Sequence, residues 1–198
     1  YGPDAWLLYF ADQPGEIAFQ RARHISRLLE LSPPAHLREW TISYTSVLLE
    51  FDPRHCPQQA PDFPLHCRTE DQVDSPAKII PVRYDGPDLA RVAAHTGLSM
   101  DAIIELHCAP LYQVQCLGFA PGFPYLSGLD ARLHTPRLET PRTIIPAGSV
   151  AIGGSQTGIY PLPTPGGWNI IGSTAQSLFD PHQSISHACF LKAGDLVK

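Results

Sequence analysis

Two arginines five residues apart, Arg137 and Arg142, each follow a proline that stiffens the local backbone. A guanidinium offers a planar fork of N–H donors that matches the oxygens of a carboxylate or phosphate. Only three of the 14 basic residues are lysines, so anion recognition falls mainly to arginine. An ordinary surface salt bridge is the competing reading for each. Gln156 can donate and accept at once, which suits a lactam or urea-type amide. Thr157, Gly158 and the Pro165-Gly-Gly167 run are turn residues whose successive backbone N–H groups can form an anion nest. Tyr160 and Trp168 add aromatic surface with a polar edge. The stretch 118–126 holds Phe119, Pro121, Phe123 and Tyr125 among glycines and further proline. It is either a buried turn with positive-φ glycines or the wall of a groove.

His107 falls at the end of an expected helix, where the helix dipole favours a cation and where it can also serve as general acid or base. Histidine stands beside cysteine at 55–56, 66–67 and 107–108, but without the spacing of a metal site, so no metal is expected. Neither a nucleophile elbow nor a phosphate-binding P-loop is present.

The elements that must carry these residues follow from periodicity. Residues 6–10 read as a strand. A helix opens at Pro14, with Ala18, Ala22, Ile25 and Leu29 on one face, and stops at Ser32-Pro33-Pro34. Residues 40–44 and 47–51 read as a hairpin. Prolines at 53, 57, 61, 64 and 76 mark 52–76 as an irregular connection, dividing the chain into domains 1–76 and 77–198. Beyond it, 78–84 reads as a strand, and 87–95 and 99–108 as helices, the second N-capped by Ser99. Short strands then alternate with Gly/Pro turns at 112–117, 143–145, 149–152, 158–160, 168–171 and 188–191, the pattern of a barrel or sandwich.

The 198 residues carry a formal charge of −5 and a mean hydropathy of −0.08, ordinary for a globular protein and unsuited to nucleic acid or an anionic membrane. Apolar runs are too short to span a bilayer, and residues 1–10 lack the features of a signal peptide. Five cysteines without framework spacing suit a reducing compartment, and the expected location is cytoplasmic. After Thr140 the only acidic residues are Asp180 and Asp195, so a site there would not rest on a carboxylate pair.

An ordered set of segments carries a resemblance: Leu117-Gly-Phe-Ala-Pro-Gly-Phe-Pro-Tyr-Leu126; Thr135-Pro-Arg137 with Pro141-Arg142; Ile145-Pro-Ala-Gly-Ser-Val-Ala-Ile152; Gln156-Thr-Gly-Ile-Tyr-Pro161; Pro165-Gly-Gly-Trp168; Leu178-Phe-Asp-Pro181; and Gly194-Asp195. Together they resemble the family of KipI, allophanate hydrolase subunit 1 and the 5-oxoprolinase B subunit, strongly over 78–198 and more loosely over 1–51. The resemblance implies an α+β protein, a small α/β N-terminal domain followed by a cyclophilin-like β-barrel, without prolyl isomerase activity. It implies a subunit of an ATP-dependent 5-oxoprolinase, inactive alone, that opens 5-oxoproline to glutamate. ATP and magnesium would be shared with a partner, with no cofactor covalently attached. The partners would be a paralogous cyclophilin-like subunit of the C type and a hydrolytic subunit of the A type. In that setting His107, Arg137 and Arg142 would be catalytic. Phe119, Pro121, Phe123, Tyr125, Gln156, Thr157, Tyr160 and Trp168 would hold substrate. The same resemblance admits a KipI-type inhibitor of a sensor histidine kinase, or a component of urea or allophanate degradation.

Overall fold

A computed structural model describes residues 2–13, 15–64, 76–184 and 187–198. The chain divides into two compact units, Tyr1–Asp74 and Ser75–Lys198.

In the first unit, β1 (Ala5–Tyr9), β3 (Ser46–Phe51) and β2 (Leu37–Ile42) form an antiparallel sheet in that order. Helix α1 (Glu16–Leu31) buries Ala18, Phe19, Ala22, Ile25, Ser26 and Leu29, one stripe at three- and four-residue steps. Ala22, Ile25 and Leu29 pack with Val47, Leu49 and Phe51 of β3 into a single core. The Trp40 indole N–H donates to Ser26 Oγ at 2.8 Å, tying sheet to helix. Pro14, the expected helix opener, lies outside the described residues, as do 65–75. The first part of the proline-rich connection is no free linker. Cys56 and Phe63 pack against the unit's core, and Pro57 O accepts from the Trp6 indole at 3.0 Å.

The second unit begins with segment 78–83, then α2 (Leu89–Thr96) and α3 (Met100–Cys108). Ser99 Oγ accepts from Ala102 N at 3.2 Å, capping α3 as its sequence predicts. Then come β4 (Tyr112–Leu117), β5 (Pro124–Ser127), β6 (Arg142–Ile145), β7 (Ser149–Gly153), β8 (Gln156–Ile159), β9 (Thr164–Gly166), β10 (Asn169–Ser173) and β11 (Leu196–Val197). Six of them form one sheet in the order β10-β7-β8-β5-β4-β11, and β6 pairs with β9 separately.

No continuous ladder closes the six-stranded sheet among the described residues. The expected strand 78–84 is reduced to single bridges, parallel from Lys78 to Val197 and antiparallel from Arg83 to Ser173. Pro81, which has no N–H to donate, sits between them. One end of this segment thus hydrogen-bonds to edge strand β11 and the other to edge strand β10. The expected strand 188–191 likewise survives only as a bridge from Phe179 to Cys189. The fold is mixed α and β.

The sheet has two buried faces. Leu126, Val150, Ile152, Ile159 and Ile171 point into the main core with Val92 of α2 and Ile103 of α3. On the other face Phe123, Ala151, Tyr160, Trp168 and Ile170 make a second cluster. No helix among the described residues is long and apolar enough to cross a membrane.

Candidate functional site

The second face is built on small residues. A Cβ at Gly153 would collide with the Trp168 indole, and one at Gly166 with the Tyr160 hydroxyl and Ile145. Absent side chains at these positions let the rings lie against the strands. Above this floor the rings meet edge to face. Phe123 lies 5.0 Å from Tyr125, 5.2 Å from Tyr160 and 5.5 Å from Trp168, centroid to centroid. Register places Gln156 on the same face, since it pairs with Gly153 across β7 and β8.

Two groups stand above the rings. The Arg137 guanidinium carbon sits 5.6 Å from the Trp168 ring centroid, a cation–π arrangement. Arg137 is exposed, and among the described residues no carboxylate lies within salt-bridge distance of it. Phe119, 61% exposed, lies 5.4 Å from Phe123 and 6.2 Å from Tyr160. Its backbone is strained. With φ at 67° and Ala120 N donating to Gly118 O at 2.7 Å, it is the central residue of a γ-turn of the rare positive-φ kind. Such a conformation costs of the order of 1–3 kcal/mol and gathers at functional sites. Pro121 is exposed in the same loop.

Burial pushes the Tyr160 hydroxyl up from its ordinary pKa. The Trp168 backbone N–H and the Arg137 and Arg142 charges pull it back only in part. Burial likewise raises Tyr125, with Arg137 opposing. Both tyrosines are therefore neutral hydrogen-bonding groups near neutral pH, beside a fixed positive charge.

Arg142 behaves differently from Arg137. Its Nη2 donates to Asp88 Oδ1 at 2.7 Å, and Asp88 Oδ2 accepts from Ile170 N at 2.7 Å. This buried carboxylate, at the start of α2, thus ties β6 to β10. The salt-bridge reading holds for Arg142, and Asp88 is the residue that sequence reasoning missed. It stands at the N-cap position of α2 but makes no side-chain cap bond.

His107 and Thr157 are not with the arginines. Thr157 alternates with Gly158 along β8 and so points to the main-core face, as does His107 from α3. Thr157 Oγ1 donates to the Ala151 carbonyl at 3.0 Å, so it can only accept from His107 Nε2, at 2.9 Å. That fixes the proton on Nε2 and leaves Nδ1 to accept from the Tyr84 hydroxyl at 2.7 Å. With its proton committed, the Tyr84 oxygen accepts from the Cys108 thiol at 3.3 Å. Burial lowers the His107 pKa to about 4, so the ring is neutral at physiological pH. Both nitrogens are occupied and the relay ends on a backbone carbonyl. The geometry makes His107 a positioning group here, not a proton shuttle for the aromatic face.

The runs expected as anion nests lie in strands: Thr157 and Gly158 in β8, paired with β7 and β5, and Pro165 and Gly166 in β9, paired with β6. Among the described residues no cluster of three or more metal-ligating side chains occurs.

Residues 1–190 match the model of the family described as carboxyltransferase domain, subdomain C and D. Over 122 residues the chain is 57% identical to the 5-oxoprolinase B subunit of Escherichia coli O157:H7 and 50% identical to that of Bacillus subtilis strain 168. Those residues are 60% of this chain and 55% and 50% of the two relatives. The chain thus spans about half the length of the curated relatives it matches. The crystal structure of TTHA0988 superimposes with a TM-score of 0.84 at 38% identity, covering 98% of this chain and 39% of that one. The uncharacterized protein PH0987 of Pyrococcus horikoshii gives 0.59 at 37% identity, covering all of this chain and 94% of its own. The Kluyveromyces lactis urea amidolyase, at 19% identity and 0.68 over 98% of this chain and 14% of that one, shares the fold alone. With the order of motifs and the family match agreeing, the chain belongs to the carboxyltransferase domain, subdomain C and D family and resembles the 5-oxoprolinase B subunit within it.

Proposed function

We propose that this chain is the B-type subunit of an ATP-dependent 5-oxoprolinase and that its aromatic face holds 5-oxoproline. The observation that carries the reading is Arg137, a guanidinium seated on Trp168 with no carboxylate partner among the described residues, beside the neutral hydroxyls of Tyr125 and Tyr160. 5-Oxoproline has a carboxylate for such a fork and a flat lactam for such rings. Phe119 covers the ring from the solvent side, and Gln156 matches the amide. Relatives named as the B subunit of 5-oxoprolinase, at 50–57% identity, support the choice of substrate.

A lactam resists hydrolysis because resonance strengthens its C–N bond. ATP, when bound, supplies a phosphoryl group that removes this resistance at the amide oxygen. The donors on the aromatic face suit an anionic oxygen and not magnesium, which takes carboxylate and phosphate oxygens. We therefore assign to this chain the holding and orienting of 5-oxoproline, and no step through the nucleotide. ATP with magnesium falls to a site shared with the C-type barrel partner, and ring opening to the A-type subunit. Within this chain, Arg137 fixes the carboxylate and the tyrosine hydroxyls hydrogen-bond the amide.

Co-expression with the C- and A-type subunits is the test. A co-purifying complex should hydrolyse ATP only when 5-oxoproline is present, and this chain alone should do nothing. Conversion of 5-oxoproline by the single chain would overturn the division of labour. A complex indifferent to 5-oxoproline would overturn the substrate.

A further inference from the structure

Behind the strands that carry the aromatic face lies a second concavity, of about 250 Å³ and partly enclosed. Val150, Thr157 and Ile159 line it from β7 and β8, while Ala151 and Gly158, their neighbours in sequence, belong to the aromatic side. Ile80, Val82 and Leu126 complete an aliphatic wall, and the exposed Cys108 stands at its rim.

Most polar groups in this wall are spoken for: the Tyr112 hydroxyl donates to His107 O and Lys198 Nζ to Ala109 O, each at 2.7 Å. Thr157 gives its proton to Ala151 O and receives that of His107, and His107 Nδ1 is filled by Tyr84. The Tyr84 oxygen still accepts, and its present donor is the Cys108 thiol at 3.3 Å, a weak one. A charged guest would lose its hydration against the aliphatic wall, and the one charged side chain in the lining, the exposed Lys198, is held on Ala109 O at 2.7 Å. A neutral guest would gain contact with the aliphatic wall. Apolar cavities of roughly 150 Å³ already hold a benzene ring, so this one has room for a substituted ring.

We infer that this cavity is a binding site for a small uncharged ring compound that presents one O–H or N–H to the Tyr84 oxygen. It is distinct from the Arg137 face, and the inference does not depend on the substrate proposed above. Filling it also shields Cys108.

The full chain titrated with p-cresol, toluene and benzoate tests this, read by backbone amide shifts and by the alkylation rate of Cys108 in peptide mass spectra. p-Cresol should bind saturably with shifts centred on Leu126, Val150 and Ile159. It should slow Cys108 alkylation about tenfold when present at ten times its dissociation constant. Toluene should bind about fivefold more weakly for want of the hydrogen bond. Tyr84→Phe should erase that difference, Val150→Phe should abolish both responses, and benzoate should not bind. Absence of saturable binding to the wild-type chain, tighter binding of benzoate than p-cresol, or p-cresol binding unchanged in a folded Val150→Phe variant would each overturn the proposal. Should Val150→Phe fail to fold, the location of the wild-type shifts and the protection of Cys108 decide it without a variant.

Discussion

At the scale of single residues, two arginines with the same sequence signature do different work. Arg142 has an acidic partner 54 residues earlier in the chain, and Arg137 has none within reach among the described residues. Arg142→Ala should therefore destabilise the second unit by about 3 kcal/mol, because it leaves the Asp88 carboxylate buried and uncompensated. Arg137→Ala should change stability by no more than about 0.5 kcal/mol. Chemical denaturation of both variants checks the contrast, and equal losses would contradict it. No pattern of neighbouring residues distinguishes the two, because the partner that separates them comes from tertiary structure. His107 gives a second residue-scale prediction. Burial holds its folded pKa at about 4, below the usual 6.5, so between those values the unfolded chain binds the extra proton. Stability from this group is then full above about pH 6.5 and lost as pH falls towards 4, up to about 3 kcal/mol. His107→Gln should flatten that part of the stability–pH curve. An unchanged acid slope would mean that another group sets it.

The glycine floor works at the scale of elements. Gly153→Ala would drive a methyl into the Trp168 indole, and the ring must shift, because β7 is held between β10 and β8. Overpacking of this kind costs about 1–3 kcal/mol, and it should displace Trp168 and Arg137 together. Loss of 5-oxoproline-dependent turnover in a variant whose far-ultraviolet circular dichroism is native would confirm the floor's role, and native turnover would contradict it. Much of the element pattern was legible. The stripe on α1, the Ser99 cap and the strands β4 and β7 all follow from local rules. Elements whose pairing is fixed from outside were not. Segment 78–83 divides its hydrogen bonds between two different edge strands, and 188–191 reaches only a single bridge. β5 was hidden because Pro124 and the aromatic run around it read as a turn, although they continue into a strand. Of the site, the residue types were legible and the grouping was not. Alternation along β8 sends Thr157 to the face where α3 brings His107, while Arg137 lies over Trp168 on the other.

At the scale of the whole molecule, the chain presents a ring-lined face bearing Arg137, which we propose takes an anionic lactam while a partner supplies the oxygens for magnesium. That incompleteness is what the proposed complex resolves. The most direct measurement is kcat/KM for 5-oxoproline in the reconstituted three-subunit complex, comparing wild type with Arg137→Ala and Arg137→Lys. A charged hydrogen bond to the substrate carboxylate is worth about 1.5–3 kcal/mol, so Arg137→Ala should lose about ten- to a hundredfold. Arg137→Lys should recover little of it, because an ammonium has neither the planar fork nor the same fit over Trp168. A folded, assembled Arg137→Ala complex with wild-type kcat/KM would contradict the assignment of this face to 5-oxoproline.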